Sequence, residues 1–306
     1  MKRLISNLAG RKLRSAWSLV RETFIEWDRD NTMQLAATLA FYMVFSFAPV
    51  LILIAAAASS VFGSEAARTE VINQLQGILG RSGAQMVQTV LQNARPTSTT
   101  ATLIGVTAML FGATAIFVAL QDALNRIWGV TVVSGGIIKN FLRKRLLSFL
   151  MLLLIGILLL ASTLIDAALS FAGSYFEGLF PQSRFLGSVH FAVSITLAAV
   201  LFGTVYKVLP DVKIAWADVW VGSLVTSVLF NLGRTLIGIY LTQSTVGSLY
   251  GAAGSFAIFL IWIYYSAMVF FIGAEFTQVY ARKRGSPILP DGRAVSFRIQ
   301  TRRRTP

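Results

Sequence analysis

The chain has no cysteine and a single histidine, and both shortages exclude whole classes of chemistry. Without cysteine there is no disulfide, no thiolate nucleophile, no cysteine-based zinc site and no cysteine-ligated iron–sulfur cluster. Metal sites with several histidines are excluded too. A Ser/His/Asp arrangement would need His190, for which a polar cap at a helix end is the favoured role. We therefore predict no catalytic residue, no resident metal and no cofactor.

Charged residues are also scarce, at 13% of the 306 residues, whereas a soluble domain has about 25%. Hydrophobic residues make up 55% and are concentrated in six nearly uncharged stretches. Most of these stretches are close to the roughly 20 residues that a helix needs to cross a bilayer. The predicted spans are residues 35–62, 101–121, 146–165, 187–206, 219–242 and 253–278. The sequence therefore predicts an all-α polytopic membrane protein with a six-helix transmembrane bundle.

Basic residues flank these spans unevenly and predict the orientation of the chain. Of the 27 lysines and arginines, 22 lie on one side of the predicted membrane, four on the other, and Arg234 lies within a span. By the positive-inside rule the richer side is cytoplasmic, and it carries both termini and the loops 126–145 and 207–216. Insertion topology and anionic lipid headgroups explain the net charge of +14, and no nucleic-acid partner is expected.

Three parts follow along the chain: a basic amphipathic cytoplasmic segment at residues 1–32, a membrane domain at 33–280 and a basic cytoplasmic tail at 281–306. The tail has glycine, proline and charge without periodicity, so we expect it to be flexible and to face lipid. The connection at residues 63–100 has apolar residues at helical spacing, which predicts two short amphipathic helices on the periplasmic side.

The first segment carries an apolar stripe that includes Trp17, Val20 and Phe24 at helical spacing beside basic residues. This pattern is typical of a helix lying on the inner headgroups. We expect that helix to run on into the first span.

Ionisable side chains at membrane depth are costly, so each is a candidate functional group. Five of them fall near the cytoplasmic ends of the spans: Asp122, Lys207, Asp211, Asp218 and Glu275. One interpretation is a single charged cluster that faces inward. The favoured interpretation is that Lys207, Asp211 and Asp218 are solvated charges at loop ends. Glu275 has apolar neighbours in the sequence and needs a partner, for which we expect Lys207 or Arg126.

Arg234 lies about two thirds of the way across the fifth span toward the periplasm, with Asn231 one turn before it. A guanidinium at this depth must find a carboxylate, backbone carbonyls, water or a lipid phosphate. Asp166, at the outer end of the third span, is the only acid at matching depth within a span. A structural pair of Asp166 and Arg234 and an anion-binding Arg234 are equally favoured.

Two features of the spans concern the backbone rather than charge. Pro49 lies inside the first span, where it removes a hydrogen bond and predicts a kink, with Ser46 able to bond a freed carbonyl. In the second span, Gly105, Ala108 and Gly112 begin a face of small residues. Such a face favours close helix packing, within one chain or in a homo-oligomer.

Several short motifs, taken in order, resemble one known family. They are Asp30-Asn31, Phe41-Tyr42, Ser46-Phe47-Ala48-Pro49, Ala123-Leu124-Asn125-Arg126-Ile127-Trp128, Tyr206-Lys207-Val208-Leu209-Pro210-Asp211, Trp216-Ala217-Asp218, residues 250–255 and Gly273-Ala274-Glu275-Phe276. The pattern resembles the YihY/BrkB family of bacterial inner-membrane proteins over residues 20–285. The resemblance implies six transmembrane helices with both termini in the cytoplasm. Family members have carried the label ribonuclease BN and the name of a serum-resistance factor, and the resemblance suggests a role in moving lipid or another envelope component.

Transport explains the most features, because ionisable groups, a proline-broken helix and basic flanks suit movement of a lipid or an amphiphilic anion. The candidate substrate-binding residues are Arg234, Asn231, Asp122, Glu275 and Lys207. A structural or scaffolding membrane protein is the alternative. A ribonuclease is disfavoured, because one histidine and scattered acids provide neither an acid/base pair nor a two-metal site. We predict that the chain is not an enzyme and that its partners are the bilayer and anionic headgroups.

Overall fold

A computed structural model describes residues 2–63, 115–132, 183–243, 246–285, 287–291 and 294–296, together with scattered positions between 69 and 92 and between 146 and 165. These residues are mostly helical. The helices are α1 (Lys2–Arg29), α2 (Thr32–Phe62), a helix over residues 115–127, α3 (Ser183–Val208), α4 (Trp216–Gln243) and α5 (Val246–Arg284). The scattered positions between 146 and 165 are helical as well.

Three helices of the described part are long and apolar enough to cross a membrane, judged by length and composition. Their apolar segments are Phe191–Val208, Trp216–Leu236 and Phe259–Arg284. They match the fourth, fifth and sixth predicted spans, and α2 covers the first. The second and third predicted spans lie largely outside the described residues. A predominantly helical membrane protein is thus confirmed, whereas the count of six spans stays a prediction.

The helix is interrupted between α1 and α2, so the expectation of one continuous helix was wrong. Asn31 has a φ angle of 53°, in the left-handed region that asparagine tolerates better than most residues. The amide of Asn31 donates to the carbonyl of Asp28 at 3.1 Å, which closes α1. The amide of Gln34 donates to the carbonyl of Asn31 at 2.9 Å, which starts α2. Thr32 therefore begins a new helix.

Helix α5 is the hub of the described packing, because α1, α2 and α4 all lie against it, while α3 packs on α4. It has 39 residues, about 58 Å at 1.5 Å per residue, and so exceeds the roughly 30 Å of bilayer hydrocarbon. The main core includes Leu124, Tyr206, Leu209 and Phe271, all fully buried or nearly so.

Charged side chains hold α1 against the C-terminal end of α5. Arg282 Nη1 donates to Glu26 Oε1 at 2.9 Å, and the second guanidinium nitrogen of Arg282 donates to Glu22. Lys283 also pairs with Glu22 and donates to the carbonyl of Ser18 at 3.4 Å. The hydrogen bond from Lys283, followed by that from Arg282, holds the pKa of Glu22 below its ordinary value.

The described residues form two small antiparallel sheets that were not predicted from the sequence. Strand β1 (Val130–Val132) pairs with β4 (Ala294–Ser296), and β2 (Val212–Lys213) pairs with β3 (Leu289–Pro290). The expectation of a flexible tail was therefore wrong for residues 287–291 and 294–296. The backbone of the tail pairs with strands in two loops between helices. This pairing orders part of the tail, although the tail has no apolar pattern.

Candidate functional site

Glu275 lies in α5 with its side chain completely buried. Thr32 Oγ1 donates a hydrogen bond to Glu275 Oε1 at 3.2 Å. Thr32, also fully buried, reaches this position because the break at Asn31 makes it the first residue of α2. Thr32 is thus a partner of Glu275 that the sequence did not suggest, and a pairing with Lys207 or Arg126 stays a prediction. A hydroxyl group and a carboxylate from two different helices meet in the interior of the protein.

Polar residues from α3 and α4 lie one turn from Glu275. Tyr206 OH donates to the carbonyl of Phe270 at 2.6 Å and lies 3.1 Å from Thr226 Oγ1. A Cβ atom added at Gly273 would lie 1.9 Å from Thr226 Oγ1 and 2.7 Å from Tyr206 OH. Gly273 is therefore what allows α4 and α5 to approach so closely on the side of α5 that faces α4.

A second buried polar cluster surrounds Asp211, which is only 3% exposed. Gln121 Nε2 and Asn125 Nδ2 each donate to Asp211 Oδ2 at 3.0 Å. The backbone amide of Asp211 donates to Asn125 Oδ1 at 2.8 Å, so Asn125 bonds both the side chain and the main chain of this residue. The carbonyl of Asp211 accepts from the amide of Asp291 at 3.0 Å, which attaches the tail to the cluster.

The other charges at the helix ends have separate surroundings. Asp218 is 5% exposed and lies against Gly285, where an added Cβ atom would be 2.2 Å from its Oδ1 atom. Lys207 is half-buried, donates to the carbonyl of Ile214 and lies 5.8 Å from the centroid of the Trp216 ring. Asp122 is exposed.

The favoured interpretation of solvated loop-end charges was therefore wrong for Asp211 and Asp218, both of which are buried. The interpretation of a single charged cluster stays a prediction, and two of its members have different neutral partners. Asp211 binds amide side chains from the 115–127 helix, whereas Glu275 binds a hydroxyl group from α2.

Arg234 is exposed on α4, and Asn231 one turn earlier is half-buried. Asn231 Nδ2 donates to the carbonyl of Ser227 at 2.9 Å, so one amide hydrogen is already bonded within its own helix. Asp166 lies outside the described residues, and its pairing with Arg234 stays a prediction. Helix α2 continues through Pro49 to Phe62, although the side chains beyond Phe47 also lie outside the described residues, as does that of His190.

The sequence indicated Glu275 and Asp211 as candidates but not their neutral partners. These partners are Thr32 at Glu275 and Gln121 and Asn125 at Asp211, and the contact between Tyr206 and Thr226 was also missed. One signal was present. Gly222 and Thr226 in α4 have the same four-residue spacing as Gly273 and Thr277 in α5. Small residues at this spacing mark close helix contacts in membranes.

Comparison with known proteins agrees with the resemblance noted from the motifs. Residues 23–296 match the family described as virulence factor BrkB, which is most of the chain. This chain belongs to the virulence factor BrkB family. The match spans every described helix except the first part of α1, so the two buried polar clusters lie within the BrkB family region.

Relatives of this BrkB family chain are membrane proteins without an assigned activity in their names. It is 25% identical over 268 residues to a UPF0761 membrane protein of Janthinobacterium sp. (strain Marseille), covering 85% of this chain and 60% of the relative. It is 28% identical over 272 residues to one of Ralstonia nicotianae, covering 84% and 59%. It is 26% identical over 261 residues to one of Psychromonas ingrahamii, covering 82% and 83%.

The chain thus spans about half to three fifths of the length of the first curated relatives that it matches. No solved structure matches it.

Proposed function

We propose that this protein is a multi-pass transporter or flippase of the bacterial inner membrane, which moves a lipid or another amphiphilic anion of the envelope. The proposal includes six spans with both termini in the cytoplasm. The observation that supports it most is the complete burial of Glu275 within a membrane-spanning helix. Ionisable groups in such positions are expensive and mark substrate, ion or proton pathways in membrane proteins.

The surroundings of Glu275 suit a group that changes partners. Its described hydrogen bond comes from the Thr32 hydroxyl, a neutral donor at the start of a separate helix. The bond links the start of α2 to α5, so movement of α2 relative to α5 at the Asn31 break would change the surroundings of the carboxylate.

The proposed substrate class follows from the positions of the basic residues. Arg234 is exposed on a membrane-spanning helix, and 22 of the 27 basic residues flank the proposed inner face. Arginine forms paired, charge-assisted hydrogen bonds with phosphate, and basic flanks attract anionic headgroups. A lipid phosphate or a related amphiphilic anion would bind both Arg234 and the basic residues of the inner face.

The test is flux in proteoliposomes with a panel of labelled lipids and anions. We expect Glu275→Gln and Arg234→Gln to lose most of the flux of a transported probe. Asp291→Asn and Lys213→Gln are the matched controls, because they remove the same charges from positions outside the proposed spans, Lys213 in β2 and Asp291 directly after β3. They should keep the flux of the unmodified chain.

Equal flux in the unmodified chain and in the Glu275 and Arg234 variants would reject these residues as the transport site. No flux of any probe would favour the second candidate, a scaffolding membrane protein without transport. One observation supports that candidate: the packing of Gly273 against Thr226 leaves no room for a methyl group between α4 and α5. A dense contact of this kind is suited to a fixed bundle.

We also propose that the protein is not an enzyme. A two-metal nuclease needs carboxylates that converge where RNA can reach them. Asp211, Asp218 and Glu275 are each at most 5% exposed. Metal-dependent cleavage of RNA by the purified protein, abolished by Glu275→Gln, would contradict this proposal.

A further inference from the structure

Helix α1 has two unlike faces along its length. One face carries Leu19, Thr23 and Glu26, all buried against the rest of the protein. At 100° per residue, the side that carries Trp17, Val20 and Phe24 is centred about 125° around the helix from that face. They are exposed, with Trp17 at 70%. The helix therefore docks on the bundle through one side and presents large apolar side chains on another.

The outward apolar face forms a shallow groove of about 520 Å³. It is lined by Trp17, Val20, Arg21, Phe24, Ile25 and Asp28. Exposed tryptophan and phenylalanine beside an arginine are typical of a helix that lies in a membrane interface, since the rings enter the acyl boundary while the cation stays at the phosphates.

The charges of α1 are divided between its faces in a way that the sequence alone did not show. Glu22 and Glu26 are engaged by Arg282 and Lys283 of α5. Arg21, in the outward groove, is exposed and forms no ion pair with any residue that the structure describes. The helix as a whole has seven basic and three acidic residues. Two of the three acids are thus neutralised by α5, and Asp28 is the acid that remains in the groove.

We propose that the outward face of α1 is a docking surface for the anionic inner leaflet of the membrane. Trp17, Val20 and Phe24 insert at the boundary of the acyl chains, and Arg21 binds a lipid phosphate. Continuity with the span supports a lipid occupant. Three residues after α1 ends, α2 begins, and its exposed side chains include Met33, Phe41 and Phe45, which suit the same medium. The proposal does not depend on transport.

The test uses nitroxide labels on the full chain in vesicles, and the absence of native cysteine makes single labels simple. Val20→Cys places a label in the groove. Ser18→Cys, exposed on a different face of the same helix, is the matched control. We expect the Val20 label to be accessible to oxygen and shielded from a water-soluble nickel chelate, and the Ser18 label to show the reverse.

The second part of the test varies the charge of the lipid. Shielding of the Val20 label should be stronger in vesicles that contain phosphatidylglycerol than in phosphatidylcholine alone, and Arg21→Gln should remove this difference. Phe24→Cys repeats the measurement at a second exposed position if Val20→Cys folds poorly.

Three results would overturn the proposal. Equal chelate access at Val20 and Ser18 in both kinds of vesicle would mean that water covers this face. Spin–spin broadening at Val20 would mean that a second copy covers it. Shielding of the Val20 label that changes neither with phosphatidylglycerol nor with Arg21→Gln would exclude an anionic headgroup as the ligand.

Discussion

The side chain of Thr277 in α5 lies directly on Gly222 in α4, where an added Cβ atom would be 1.7 Å from Thr277 Oγ1. The relationship is reciprocal, because Thr226 in α4 lies on Gly273 in α5. Each hydroxyl donates to its own helix, Thr277 to the Gly273 carbonyl at 2.6 Å and Thr226 to the Gly222 carbonyl at 2.7 Å. The two helices thus interlock through a repeated glycine and threonine pair.

The first prediction concerns this interlock. Gly222→Ala should lower the free energy of unfolding by about 1–3 kcal/mol, the usual cost of an extra methyl group in a tight core. Gly156→Ala is the control, because no described atom lies within 4 Å of the position of its new Cβ atom. Thermal unfolding in detergent measures both. Adding Thr277→Gly to Gly222→Ala should recover part of the loss, and equal stability of the two alanine variants would contradict the assignment.

The second prediction concerns the Tyr206 hydroxyl. Tyr206→Phe should destabilise the protein by about 1 kcal/mol, because its bonds to the Phe270 carbonyl and Thr226 are lost in a buried site. Tyr42→Phe, on the exposed side of α2, should stay within about 0.5 kcal/mol of the unmodified chain. The same detergent unfolding assay compares them, and an unchanged Tyr206→Phe variant would show that these bonds add no net stability.

The third prediction concerns the Asp211 cluster. Asn125→Ala removes one donor to the carboxylate and the acceptor of the Asp211 amide, so we expect a loss of about 1–3 kcal/mol. Asp122→Asn, on an exposed position one turn away, should have little effect on unfolding. The tail should also respond, since Asp291 bonds the Asp211 carbonyl. Faster protease cleavage after Lys213 or Arg284 in Asn125→Ala checks this, and unchanged cleavage would separate the tail from the cluster.

The fourth prediction is a pH dependence of the contact between α1 and α5. The hydrogen bond from Lys283 lowers the pKa of Glu22, so ionised Glu22 stabilises the contact at pH values above its ordinary pKa of 4.5. That contribution disappears as the pH falls through the lowered pKa of the folded state. Glu22 is partly exposed, so high salt should weaken the contact as well.

Spin labels at Ser18→Cys and Leu289→Cys, both exposed, report this contact as a distance distribution. The distribution should broaden on acidification, and Glu22→Gln should be broad already at neutral pH. A distribution that stays narrow in acid and in Glu22→Gln would mean that buried contacts such as Leu19 hold α1 without Glu22.

The long apolar helices were predictable from the sequence, because twenty or so residues without charge have no soluble alternative. The break at Asn31 was not, since Asp30-Asn31 is equally compatible with a continuous helix until the backbone angle is known. The strands were missed for a different reason. Strand β1 has three residues, and its partner β4 lies over 160 positions away, so neither has a local pattern long enough to recognise.

The candidate site was half predictable for a similar reason. Glu275 stands out because a carboxylate at membrane depth is costly, whereas a threonine is not. Its partner Thr32 is 243 positions away and follows a turn that the sequence does not predict. Asp211 was expected in solvent because it follows Pro210 at a helix end, but it is buried and bonded by side chains of the 115–127 helix.

We propose that the chain crosses the bilayer six times and that Glu275 is buried among the spans. The most direct test is a scan with single cysteines and a membrane-impermeant maleimide applied to the periplasmic side of spheroplasts. Our account predicts labelling at Gln92→Cys, Gln182→Cys and Ser244→Cys. It predicts none at Ser6→Cys, Lys139→Cys, Lys213→Cys or Arg302→Cys until the cells are opened. Labelling of Ser6→Cys and Arg302→Cys from opposite sides would contradict an even number of spans and with it the proposed orientation.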